Sequence, residues 1–80
     1  MEKIVEKEIT IEKMFESMKA GDIYKVPYEK SRHNAIRAEC SRQHRYARER
    51  GVKVTSLTPV FRVSARENKG YTTIIKLRDV

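Results

Sequence analysis

Between Ser31 and Arg50 the chain runs for twenty residues with neither proline nor glycine, SRHNAIRAECSRQHRYARER. Laid out at helical spacing, the run separates into two sides. Ile36, Cys40, Gln43 and Ala47 line one side, with Ala35 and Tyr46 at its edge. Asn34, Arg37, Ser41, Arg45 and Arg48 line the other, at i, i+3, i+7, i+11 and i+14. The spacing predicts an amphipathic helix whose polar side is an arginine stripe. An uninterrupted helix of this length is a large fraction of an 80-residue chain, so the rest must fold against its apolar side.

The flanking residues divide the remainder into short elements. Thr10 is placed to cap a helix over roughly 11–19, in which Ile11, Met14, Phe15 and Met18 share a face and Gly21 follows as the stop. Asp22 to Val26 is rich in β-formers and ends at Pro27, which disfavours helical geometry before it and separates a short strand from the long helix. Ser31 is the expected N-cap of that helix, with Tyr28 to Lys30 as an alternative first turn, and Gly51 is its stop.

Beyond Gly51, Val52 to Thr55 and Val60 to Val63 alternate in different phases around Pro59, which reads as one bulged strand or two short ones. Ala65 to Gly70 has the composition of a hairpin loop, and Tyr71 to Arg78 is the strongest strand signal. Residues 1–8 alternate Glu and Lys around Ile4 and Val5, and leave fraying, extension of the first helix or a short strand open.

The expected fold is thus a single α+β domain over residues 1–80: a short helix, a short strand, the long basic helix and a C-terminal antiparallel hairpin, with a small sheet packed on the helices. Its expected core holds Met14, Phe15, Met18, Ile23, Ile36, Cys40, Ala47, Val54, Phe61, Ile75 and Leu77. The order of helix and basic hairpin, with a strand upstream, resembles the second half of a winged-helix domain. That likeness is one of element order, one helix short of the usual count and without a sequence signature.

The net charge of +7 is unevenly distributed. Residues 1–28 hold five bases against six acids, residues 29–53 eight against three, and residues 54–80 five against two. A polyanionic partner follows from that concentration. Arginine offers a planar fork suited to phosphates and guanine edges, and asparagine can read adenine. A solvated helix face normally mixes Glu and Lys in i,i+4 pairs. Here Glu39, placed to pair with Gln43 or Arg42, and Glu49, placed to pair with Arg45, both lie off the stripe.

The expected function is therefore nucleic-acid binding. Asn34, Arg37, Ser41, Arg45 and Arg48 form the main contact. Arg32, Arg42 and Arg50 clamp flanking backbone. Arg66 and Lys69 on the hairpin loop, with Arg62, Lys76 and Arg78 on its strands, supply an accessory contact. A rigid helix fits the B-form major groove and not the narrow, deep A-form one, so duplex DNA is expected over RNA. The four tyrosines, Tyr24, Tyr28, Tyr46 and Tyr71, form no alternating platform for single strands, and Tyr28 is the one expected at the surface. The alternative is a small adaptor or inhibitor that docks its basic face on an acidic protein, since carboxylates accept the same arginine fork.

Other chemistries find little support. His33, Cys40 and His44 lie along one helical line, but a structural zinc needs four ligands and the chain has no other Cys or His. No cofactor or catalytic constellation is expected, although basic neighbours of Cys40 leave some thiol reactivity open. A lone cysteine suits a reducing cytosol, and no apolar run or signal core suggests a membrane or secretory route. Oligomeric state is left open.

Overall fold

The computed structural model describes residues 1–5 and 9–80. Its elements are β1 (Glu2–Ile4), α1 (Ile11–Glu16), β2 (Ile23–Pro27), α2 (Lys30–Glu49), β3 (Phe61–Ser64) and β4 (Tyr71–Lys76). The strands form one mixed sheet in the order β1-β2-β4-β3, with β1 parallel to β2 and the other pairs antiparallel. The α+β layout is as expected. Of the three outcomes open to the N-terminal segment, residues 2–4 take the strand; residues 6–8 lie outside the described residues.

Local signals act where the chain offers them. Thr10 caps α1 through Oγ1, which accepts from Lys13 N at 3.3 Å. Helix α1 is shorter than expected. Ser17 closes it by donating Oγ–H to Met14 O at 2.9 Å. Helix α2 starts at Lys30, one residue before the expected cap. Glu29 is its N-cap without a side-chain cap bond, and Ser31 Oγ instead donates to Glu29 Oε1. At the other end Gly51 adopts a φ of 88°, a conformation that glycine takes at little cost, and Val52 N returns to Ala47 O at 3.0 Å.

Both helices lie on the sheet face that carries Tyr24, Val26, Ile74 and Phe61. Val5, Met14, Phe15, Met18, Ile36, Ala47, Val54 and Val60 complete the core, with Cys40 partly buried beside it. The Phe15 and Phe61 rings meet edge to face with centroids 4.8 Å apart, a favourable quadrupole geometry.

Two strands present the opposite phase to the expected one. Tyr71, Thr73, Ile75 and Leu77 do share a side of the C-terminal strand, but it is the side away from the helices. Ile74 is fully buried in place of Ile75, and Leu77 is exposed. In β2 likewise, Tyr24 and Val26 enter the core and Ile23 is only half-buried. The register explains both, because Ile74 lies between Tyr24 on β2 and Val63 on β3. A strand with apolar residues in both phases takes its inward face from its neighbours.

Residues 52–55 join no strand, contrary to expectation. Side chains occupy carbonyls that a ladder would have used: Arg48 Nε donates to Val54 O, and Arg78 Nη2 to Lys53 O. Val54 is buried all the same, so the alternation reflected packing without pairing.

Candidate functional site

Helix α2 is about 30 Å long by its residue count and divides its polar groups between two environments. On the inward side Glu39, Cys40, Gln43 and His44 are all engaged. Glu39 is 4% exposed and accepts from Gln43 Nε2 at 2.8 Å and from Arg42 Nη1, so both expected pairings form at once. His44 Nε2 accepts the Phe61 N–H at 3.0 Å and lies 4.0 Å from Cys40 Sγ. That bond fixes His44 as the neutral tautomer protonated at Nδ1. Burial, with Arg48 and Arg78 nearby, holds its pKa below the usual histidine range.

Cys40 Sγ donates to Phe61 O at 3.9 Å. Burial pushes its thiol up to about 11, against the weaker opposing pull of Arg37. The reactivity that the sequence left open for Cys40 is thus disfavoured, because desolvation of the thiolate outweighs the neighbouring charge. Cys40 and His44 therefore stitch α2 to the start of β3, and among the described residues no group of three potential metal ligands assembles.

On the outward side, Asn34, Arg37, Ser41, Arg45 and Arg48 are all exposed, as the stripe required. Arg37 has no hydrogen-bond or ion-pair partner among the described residues. Arg45 has weak attachments, to Glu49 at 4.0 Å and over the Tyr46 ring at 5.7 Å. Arg48 is engaged through Nε, and its terminal nitrogens have no hydrogen-bond partner among the described residues.

The hairpin joins this surface. A cleft of about 300 Å³ between α2 and the β3–β4 loop is lined by His33 and Arg37 from the helix and by Val63, Ser64, Ala65 and Arg66 from the hairpin. His33 Nδ1 and Thr72 Oγ1 form a 2.9 Å bond that ties the helix to β4 and orients the imidazole at the cleft. A separation of 39 positions between His33 and Thr72 leaves no trace of this pairing in the sequence, which drew attention to His33 only as a metal ligand. The i,i+4 spacing of His33 and Arg37 was the available signal for their common side.

Several expected contact residues are placed elsewhere. Arg32 lies on the inward side, half-buried. Its Nε and Nη2 are shut off from solvent and, among the described residues, have no hydrogen-bond partner, which sets them apart from the exposed stripe. Arg42 is bound to Glu39 on the flank away from the hairpin. Lys76 Nζ donates to Met18 O at 3.0 Å and sits 5.4 Å from the Phe61 ring centroid, which makes it structural. Arg78 donates to Lys53 O and Thr58 O. Lys69 is exposed on the hairpin loop but does not line the cleft with Arg66. Tyr24 is buried, and Tyr28 is exposed with its ring tilted on His33 at 5.4 Å.

Among the described residues, no helix is long and apolar enough to cross a membrane. Comparison of the chain with protein-family models, curated proteins and solved structures finds no match.

Proposed function

We propose that this protein binds duplex DNA, with the outward side of α2 as the principal contact and the β3–β4 hairpin as an accessory one. The observation that carries this reading is the convergence of Arg37 and Arg66, from distant parts of the chain, on one cleft that no described acid lines. Guanidinium groups left unpaired beside one another repel, and a bound phosphate relieves that repulsion while accepting their hydrogen bonds. Arg45 and Arg48 extend the same surface along α2, where outer arginines meet phosphates and Asn34 is placed for a base edge. The partly buried, unpaired Cys40 is compatible with action in a reducing cytosol.

The deciding measurement is affinity for a random-sequence duplex over a range of salt concentrations. Duplex binding through these arginines gives a linear log–log dependence whose slope is about 0.9 per phosphate neutralised. Arg37→Ala and Arg66→Ala each lower that slope by about one contact. Duplex DNA is bound more tightly than duplex RNA or single strands at matched salt. Retention by an acidic protein, with no duplex binding near physiological salt, would transfer the same surface to the adaptor function.

A further inference from the structure

Just beyond α2 the chain makes a tight turn over Thr55–Thr58. Thr55 Oγ1 accepts from Leu57 N and Thr58 N, each at 3.2 Å, and Thr58 Oγ1 accepts from Thr55 N at 3.2 Å. Arg78 Nη2 straddles the turn, donating to Lys53 O at 2.8 Å and Thr58 O at 2.9 Å. Arg48, itself part of the outward stripe, donates to Val54 O at 3.1 Å. The turn is braced from both flanks and sits at the C-terminal end of the stripe.

At its tip stands Leu57, 91% exposed. Single exposed leucines are ordinary on protein surfaces. This one differs in being held out by a hydrogen-bonded frame whose base carries Arg48, Lys53 and Arg78. From Arg50 to Arg66 the chain contains four basic residues and no acid. A polyanion can approach this tip without meeting a carboxylate from that segment.

We propose that Leu57 is an apolar wedge that enters a DNA duplex beside the bases covered by α2, partly unstacking one step and bending the helix. The inference rests on the duplex-binding function above and adds a deformation to it. Leucine is among the side chains that proteins insert between base steps. A wedge must not fold back, and the Thr55–Thr58 frame with its Arg78 brace prevents that. Leucine is under-represented among the residues that dominate protein–protein contacts, which favours nucleic acid over protein as the occupant.

The test uses the full chain with short duplexes labelled at both ends for energy transfer, identical except for a central TA or AA step. The wild type shortens the end-to-end distance and prefers the flexible TA step. Leu57→Ala binds about tenfold more weakly, having lost most of the buried side chain. It also loses the bend and the TA preference, yet keeps the wild-type salt slope and melting temperature. Arg37→Ala does the reverse, lowering the slope while keeping the bend. Wild-type binding without a bend, or a Leu57→Ala variant that bends and prefers TA like wild type, overturns the wedge and leaves duplex binding standing. Failure of the wild type to bind either duplex overturns both.

Discussion

The two sides of α2 hold their polar groups in opposite circumstances. Inward, Glu39, His44 and the thiol of Cys40 are each fixed by a specific partner. Outward, Arg37 has no partner among the described residues and Arg45 only weak ones. A polar group deprived of water must find a partner or destabilise the fold, whereas one in water is free to exchange it for a ligand. The contrast separates the basic residues that hold this protein together, such as Arg78 and Lys76, from those available to bind.

The sharpest way to break the comparison is a charge on the inward side. Ile36→Asp is expected to abolish cooperative folding, at more than ~4 kcal/mol, because a fully buried carboxylate would have no partner. Dispersed native-like amide spectra for this variant would contradict the inward placement. A milder perturbation is Glu39→Ala. It leaves Gln43 Nε2 and Arg42 without their acceptor and is expected to lower stability by about 1–3 kcal/mol in denaturant titration.

Arg48 belongs to both sides at once. Its Nε bond to Val54 O predicts that Arg48→Ala costs about 1 kcal/mol as well as a phosphate contact. Arg37→Ala is expected to change stability by no more than ~0.5 kcal/mol and to affect binding alone. If the two variants melt alike, the bond to Val54 contributes nothing to the distinction.

His44 gives the comparison a pH axis. Its folded pKa is lowered, so the unfolded chain takes up a proton at a higher pH than the folded one. Stability is therefore complete above the unfolded value near 6.5 and declines as pH falls through it toward the folded value. The loss comes from charging a partly buried imidazole beside Arg48 and Arg78, and the protonated Nε2 no longer accepts the Phe61 N–H. A His44→Gln variant should lose this component of the pH dependence. An unchanged profile between wild type and variant would assign the slope to other groups.

The smallest expected effect is on specificity. Asn34→Ala should reduce discrimination between duplex sequences more than total affinity, because one side chain reaching a base edge adds little to the summed phosphate attraction. A uniform loss across sequences would make Asn34 a backbone contact.

The long helix, its two faces, the Thr10 cap, the hairpin and the buried places of Phe15, Ile36, Ala47 and Phe61 follow from the sequence alone. They depend on periodicity and on residues whose preferences act within one or two turns of chain. Tertiary structure decided the rest. Tyr-Thr-Thr-Ile-Ile-Lys can turn either face inward, and only pairing with Tyr24 and Val63 selected Ile74. Arginine has the same charge wherever it stands, yet Arg78 became a brace, and Arg37 met Arg66 across a cleft. Local spacing fixes the direction in which a side chain leaves its own element. Which distant groups then surround it depends on how the elements pack, and that determines whether a charge is structural or free to bind.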